Sequence, residues 1–182
     1  RAIGEIVRRL AEGEHVKEIT DVRGTCYLAD SVLGLRNYVE CASFENVKES
    51  KERYSAATKI QYAEQDHITG KTLIQKHGGR VLVQNPPAPP LTRAEFDKVY
   101  ELPFTRAFHP IYEKMGGVPA VQEVEFSILH NRGCFGGCSF CALTYHQGRE
   151  VRGRSKDSVV REAKRLTERK DFKGYIHDIG GP

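Results

Sequence analysis

The chain has 182 residues, 39% of them hydrophobic. This is enough for one domain or slightly more, with a core that does not need disulfides or a metal for its stability. Its 28 Lys and Arg and 24 Asp and Glu leave a net charge of +4 spread along the chain, so charge does not indicate nucleic acid or a membrane as partner. No stretch approaches the roughly 18 apolar residues of a membrane helix, and residues 1–10 lack a signal-peptide pattern, which predicts a soluble cytoplasmic protein.

The first half of the chain predicts a mixture of helices and strands. Apolar residues at helical spacing predict a helix over 1–12, and a short strand is expected over 16–22. The highly charged segment 45–66 predicts one solvated helix, and residues 72–84 predict a β-hairpin.

A proline-rich segment follows the hairpin. Four prolines within residues 86–90 fix φ and remove backbone donors, which predicts an extended, stiff connector. A ligand for a proline-binding domain is the alternative, which the shortness of the segment disfavours. Thr92 and Glu95 match a capping box and predict a helix up to about Leu102.

The last third of the chain predicts a βαβ unit. Residues 123–130 alternate as a strand does, Ser155 begins a helix with an apolar face, and residues 175–179 predict a second strand. This order favours a parallel pair with a right-handed connection. The loop before Ser155 then lies beside Gly180 and Gly181, on the face where α/β sheets and barrels build their sites.

Three of the five cysteines lie close together, as Cys134, Cys138 and Cys141 in the spacing C-x-x-x-C-x-x-C. In a chain with no secretory signal, such clustering indicates a metal site. Three thiolates can hold three irons of a cubane cluster and leave the fourth open, which suits a cluster that binds a substrate. A closed cluster using Cys26 or Cys41 is less favoured, because neither has a neighbouring cysteine or a glycine-rich segment.

Zinc is the alternative metal, and the alternative function is that of a structural or interaction module that zinc stabilises. Three sulfurs and one imidazole would form an acceptable tetrahedral shell: Cys134, Cys138, Cys141 and His146. Common structural zinc sites pair ligands from two separated knuckles, whereas these four would crowd one loop, so the cluster is favoured.

These residues resemble a known superfamily. The cysteine spacing, with Phe140 just before the last cysteine, is similar to that of the radical S-adenosylmethionine (radical SAM) superfamily. More narrowly, four segments together resemble the YgiQ-type radical SAM proteins of bacteria: 21–25 (DVRGT), 85–91 (NPPAPPL), 132–141 (RGCFGGCSFC) and 178–182 (DIGGP).

The resemblance implies a 4Fe-4S cluster on the three cysteines, with S-adenosylmethionine on the fourth iron. Reduction would then cleave S-adenosylmethionine to methionine and a 5′-deoxyadenosyl radical, which acts on an unknown substrate. An electron donor of the flavodoxin or ferredoxin type is the expected partner.

Further cofactor contacts follow from the same resemblance. Phe140 is expected near the adenine, and the backbone carbonyls of Gly180 and Gly181 near the methionine amino group. The family usually has an acidic residue where this chain has Pro182.

Three arginines follow the cysteines, and a guanidinium could clamp the carboxylate of S-adenosylmethionine. Arg154 is the preferred candidate over Arg149 and Arg152, and a solvated loop arginine is the alternative. Tyr145 and His146 could donate hydrogen bonds to the cluster.

The predicted fold class is α/β. Residues 116–182 are expected to form the first βαβ part of a partial (β/α) radical SAM barrel, preceded by a mixed α+β connecting region over 21–115. By resemblance, residues 1–20 are the tail of an N-terminal α/β domain. The chain starts without Met inside a helical pattern and stops in a turn, so we expect a fragment that alone binds S-adenosylmethionine poorly and turns nothing over.

Overall fold

The structure is a computed structural model that describes residues 1–181, so the expectation for Pro182 lies outside the described residues. The chain divides into two units, one over residues 1–90 and one starting at Leu91. The predicted division at residues 20 and 115 stays a prediction. Within residues 1–181, no helix is both long and apolar enough to cross a membrane.

The first unit is built on a four-stranded sheet. In chain order its elements are α1 (Ala2–Ala11), β1 (Cys26–Ala29), β2 (Tyr38–Glu40), α2 (Phe44–Glu49), α3 (Lys51–Ala63), β3 (Thr72–His77) and β4 (Arg80–Gln84). The strand order is β1-β4-β3-β2, with β2 parallel to β3 and the other pairs antiparallel. The predicted hairpin is confirmed as β3 and β4, and its core residues are Ile74, Val81 and Val83.

The charged segment predicted as one helix forms two. Ser50 ends α2 and begins α3 with an extended backbone, φ −136° and ψ 122°. Its hydroxyl oxygen accepts a hydrogen bond from the backbone N–H of Arg53, which satisfies one of the free donors at the start of α3. The prediction of a continuous helix over 45–66 is therefore wrong at Ser50.

The predicted strand over 16–22 is also wrong. Ile19 and Val22 are buried as core residues, but the segment forms a turn over 16–18 and has no regular structure over 19–22. The side-chain amide of Asn85 donates to the carbonyl oxygens of Thr20 at 2.7 Å and Val22 at 3.1 Å, so a side chain takes the place of a partner strand. The strands β1 and β2, which the sequence did not predict, complete the sheet.

The second unit contains the predicted βαβ arrangement. Its elements are α4 (Arg93–Tyr100), a 3-10 helix (Pro110–Met115), α5 (Val121–Val124), β5 (Ser127–Leu129), β6 (Asn131–Arg132), α6 (Leu143–Gln147), β7 (Arg152–Gly153), α7 (Lys156–Thr167) and β8 (Asp178–Gly180). β5 and β8 pair in parallel, and α7 connects them in the chain. Phe126, Ile128 and Leu166 form the core between strand and helix. The α/β fold class and the parallel pair are thus confirmed.

Both strands of this pair are displaced from their predicted bounds. The first begins at Ser127 because residues 121–124 make a helical turn in which Val124 is 61% exposed. The second covers 178–180 instead of 175–179, and the rings of Tyr175 and His177 stack on each other at 5.0 Å before it. The capping box that opens α4 is confirmed, since the backbone N–H of Thr92 donates to Glu95 Oε2 at 2.8 Å.

A buried carboxylate connects α7 to β5. The side chain of Glu162 is 5% exposed and forms salt bridges with Arg154 and Arg106. Arg106 Nη1 donates to the carbonyl oxygens of Glu125 and Ser127, each at 3.0 Å. Arg154 Nη1 donates to the carbonyl oxygen of Leu129 at 2.9 Å. The arginines therefore hold the two ends of β5 while Glu162 holds both arginines.

Replacing Glu162 with Gln should destabilise α7. The substitution leaves two partly or fully buried guanidinium groups without their shared anion, which costs about 3 to 5 kcal/mol when one partner of a buried pair is removed. Hydrogen–deuterium exchange of the α7 peptide in the full-length protein measures this loss as a smaller free energy of local opening. The exposed Glu168→Gln variant is the control, and equal exchange in both variants would contradict the prediction.

Candidate metal centre

The cysteine loop leaves the carboxyl end of β5 and has a fixed base. Antiparallel pairing of β6 with β7 brings Asn131 opposite Gly153 and closes the loop at its base. The backbone N–H of Arg154 donates to the carbonyl oxygen of His130 at 2.8 Å. Inside the loop, the N–H of Cys134 donates to the carbonyl oxygen of Gly148 at 3.0 Å.

Gly133 allows the two sides of the loop to lie against each other. Its φ is +90°, in the left-handed region, and a Cβ atom there would overlap the carbonyl oxygen of Glu150. Its N–H donates to Gln147 Oε1 at 3.3 Å. A side chain at Gly133 would therefore push apart the strands from which the cysteines extend.

The glycine pair at the end of β8 lies beside the start of this loop. The N–H of His130 donates to the carbonyl oxygen of Gly180 at 2.8 Å, and Leu129 pairs with Gly180 in the sheet. A Cβ atom on Gly181 would overlap the side-chain amide of Asn131. The position predicted for the cysteine loop, next to Gly180 and Gly181, is confirmed.

Two of the cysteine sulfurs approach Gly136. An ideal Cβ atom placed on Gly136 would lie 3.5 Å from Cys134 Sγ and 3.6 Å from Cys138 Sγ. The N–H of Gly136 donates to Cys134 Sγ at 3.4 Å, and the N–H of Cys141 donates to the carbonyl oxygen of Cys138 at 3.0 Å. Cys138 is exposed, whereas Cys134 and Cys141 are half-buried.

The three thiols do not form a closed coordination shell in the described part of the chain. Across residues 1–181, no group of three or more His, Cys, Asp or Glu side chains is arranged to hold a metal ion, and this includes the alternative set with His146. The donor chemistry nevertheless fits an iron–sulfur cluster, because thiolates are its usual ligands and a backbone amide already donates to one of the sulfurs.

A buried hydroxyl near the cysteines is a second feature that fits an iron–sulfur cluster. Thr144 lies in α6, three positions after Cys141, and is 3% exposed. Its Oγ1 atom has no hydrogen-bond partner among the described residues. An unsatisfied buried hydroxyl is unfavourable by about 1 to 3 kcal/mol, so this position suits a group that accepts a hydrogen bond.

Phe140 extends into solvent from the cysteine loop. Its side chain is 92% exposed, and that of Phe135, between the first two cysteines, is 86% exposed. The expected contact of Phe140 with an adenine ring stays a prediction.

Arg154 makes a different set of contacts from the one expected. Its side chain is fully buried and makes five hydrogen bonds, to Glu162, to the carbonyl oxygen of Leu129 and to the hydroxyl and carbonyl oxygens of Ser158. The guanidinium also lies 4.3 Å from the centre of the Tyr100 ring. Burial lowers its pKa. With its donors committed within the protein, Arg154 positions α7, and a contact with S-adenosylmethionine is not supported by this geometry.

The sequence contains a signal for this structural role of Arg154. Arg154, Ser158 and Glu162 are spaced four residues apart, which places Ser158 and Glu162 on the same face of α7. A charged residue on the buried face of a helix predicts an internal ion pair. Arg106 has no comparable local signal, because it reaches Glu162 from a distant bend in the chain.

Asp97 fixes the point where the cysteine loop enters α7. Its Oδ1 atom accepts a hydrogen bond from the backbone N–H of Ser155 at 2.9 Å. The hydroxyl of Ser155 in turn accepts one from the N–H of Ser158 at 3.1 Å, which confirms the predicted helix start. Burial raises the pKa of Asp97, but the hydrogen bonds from Ser155 outweigh it and leave the pKa below its ordinary value.

Comparison with known proteins assigns the chain to a family. The molecule is an α/β protein with a three-cysteine loop at the carboxyl end of a parallel strand pair. A family model described as "Radical SAM N-terminal" matches residues 1–127, and the chain belongs to that family.

Relatives named "UPF0313 protein" cover the whole chain. The protein of Clostridium botulinum strain Okra is 53% identical over 182 residues, and that of Clostridium perfringens strain ATCC 13124 is 50% identical over 183 residues. The chain spans 28% of the length of each of these relatives. No solved structure matches the chain.

The contact of Asp97 with Ser155 should make stability depend on pH. Because its pKa is lowered in the folded state, the ionised carboxyl contributes stability that is fully present above the unfolded-chain value of about 3.9 and is lost as the pH falls through the lower folded-state value. The Asp97→Asn variant keeps an acceptor oxygen without the titration. We expect the difference in melting temperature between the two proteins to shrink as the pH falls below about 4. A constant difference from pH 7 to acid would contradict the assignment.

Proposed function

We propose that the full-length protein is a radical SAM enzyme in which Cys134, Cys138 and Cys141 hold three irons of a 4Fe-4S cluster. The observation that carries this proposal is the approach of the Cys134 and Cys138 sulfurs to Gly136, in a loop that starts beside Gly181. Membership in the radical SAM N-terminal family supports it. When bound, the reduced cluster and S-adenosylmethionine would supply one-electron cleavage of the sulfonium bond to methionine and a 5′-deoxyadenosyl radical that takes hydrogen from an unidentified substrate.

The residues of this chain would position the cofactors. The hydrogen bond from the Gly136 N–H to Cys134 Sγ is of the kind that strengthens when the acceptor is charged, as a metal-bound thiolate is. Cys138 is exposed and so lies where an incoming cluster can reach it. The buried hydroxyl of Thr144 would donate a hydrogen bond to the bound cluster.

The glycine pair would position the methionine part of S-adenosylmethionine. The carbonyl oxygen of Gly180 accepts from the His130 N–H, and a carbonyl oxygen has a second lone pair for another donor. A side chain at Gly181 would displace Asn131 and with it the start of the loop. Phe140 would cover the adenine, since its ring is exposed. An electron donor of the flavodoxin or ferredoxin type would deliver the electron.

Changing any one of the three cysteines to Ala should abolish formation of 5′-deoxyadenosine. The full-length protein is reconstituted with iron and sulfide without oxygen, reduced with dithionite and mixed with S-adenosylmethionine, and the product is measured by chromatography. Loss of one thiolate removes a cluster ligand, so we expect the iron content and the product to fall together.

Two control variants make the test specific. Cys26→Ala removes an exposed cysteine on β1, and it should leave iron content and product unchanged. His146→Ala should also keep both. Colourless protein that contains zinc, and that loses the zinc in the His146 variant, would contradict the proposal and establish a zinc site.

A further inference from the structure

A cavity lined by arginines lies on the side of α7 that faces the segment after α4. We call it the arginine cavity; its volume is about 410 Å³. Its lining includes Tyr100, Phe104, Arg106, Glu162, Arg165 and Arg169. All of these residues belong to the second unit, and none belongs to the cysteine loop.

The carboxylates that line the arginine cavity already form salt bridges with arginines. Three arginines and two glutamates line it: Arg106, Arg165, Arg169, Glu101 and Glu162. The carboxylate of Glu162 is divided between Arg106 and Arg154, and that of Glu101 pairs with Arg161. Arg169 forms salt bridges with Glu125 and Asp171, and neither of these residues lines the cavity.

Arg165 differs from the other two arginines of the lining in the partners of its side chain. Among the described residues, its guanidinium pairs with main-chain carbonyl oxygens and with no carboxylate; the oxygens are that of Tyr100 at 3.2 Å and that of Glu101 at 3.5 Å. Arg165 is exposed, so its remaining donors are open to a ligand in the cavity.

The arginines also repel one another. Burial lowers the pKa of Arg106, and the positive charges of Arg169 and Arg165 lower it further. Arg165 and Arg169 are thus close enough to repel Arg106, and an anion beside Arg165 would replace repulsion by attraction. The planar guanidinium groups match the oxygens of a phosphate group, with which they form paired hydrogen bonds.

The size and the apolar wall of the cavity point to more than an inorganic ion. Its volume lies within the range of about 300 to 1,000 Å³ that is typical of small-molecule sites. Leu102 and Phe104 line it and are 55% and 54% exposed, so they offer an uncovered apolar surface next to the arginines.

We propose that the arginine cavity binds a phosphorylated small molecule, with the phosphate on the open donors of Arg165 and the apolar part of the ligand on Phe104. No residue of the cysteine loop lines this cavity, so binding here does not require the cluster proposed for that loop. The competing explanation is that Arg165 only stabilises the C-terminal end of α4, whose last carbonyl oxygens it contacts.

Phenyl phosphate and inorganic phosphate are the probes that separate these explanations. Binding to the full-length protein is measured by isothermal titration calorimetry at constant ionic strength, with phenol as the uncharged counterpart. We expect saturable binding of phenyl phosphate that the Arg165→Gln variant weakens about tenfold or more, the loss expected for one hydrogen bond to a charged group. Lys164→Gln is the matched control, because Lys164 is an exposed cation on the same helix that does not line the cavity.

A second variant tests the contact of the cavity with the apolar part of the ligand, and it leaves Arg165 unchanged. Phe104→Ala should weaken binding of phenyl phosphate but leave that of inorganic phosphate unchanged. Circular dichroism at the titration temperature establishes that each variant is folded. No saturable binding to the unmodified protein, or equal losses in the Arg165 and Lys164 variants, would overturn the proposal. A lower melting temperature of Arg165→Gln with undiminished affinity would show that Arg165 serves only α4.

Discussion

The carboxylate of Glu162 lies between the guanidinium groups of Arg154 and Arg106, and the second unit depends on this buried triad. Removing three ions from water is costly, and their mutual attraction offsets that cost only when all three are in place. Burying Leu166 or Ile128 contributes about 1.5 to 3 kcal/mol each to the stability of the fold. Such apolar contacts are not directional, so they are compatible with many angles between α7 and β5. The triad adds little net stability beyond this, but its directional bonds specify one position of α7 relative to β5.

This position determines where the cysteine loop begins and ends. Arg154 follows β7 directly, and its backbone N–H and its side chain bond to His130 and Leu129 at the end of β5. The cysteine loop thus has both ends fixed at the same point of the sheet. Between those ends Phe135 and Phe140 remain exposed, so these two large side chains do not anchor the loop to the core. A fixed base with a loosely packed interior suits a loop that is ordered by the group it binds.

The sequence predicted the elements whose signals are local. The hairpin over 72–84, the capping box at Thr92 and the helix start at Ser155 each depend on residues within a few positions, and all three are confirmed. The failures involve distant partners. The segment 16–22 is held by the amide of Asn85, more than 60 positions away, and Arg154 is occupied by contacts that only the folded chain supplies. The cysteine spacing predicts a metal site because three ligands on one loop are a local signal, and this stays a prediction.

One arginine of the triad, Arg106, lines the arginine cavity, and the other, Arg154, holds the base of the cysteine loop. Arg106 belongs both to the triad and to the arginine cavity, where Arg165 and Arg169 repel it. An anion in the cavity would offset this repulsion, while Arg106 itself stays charged and keeps its pairing with Glu162. The energetic link is reciprocal, since whatever stabilises the triad also holds Arg106 in place for the anion. Because Arg154 shares the same carboxylate, occupancy of the cavity would reinforce the fixed base of the cysteine loop without any contact with it.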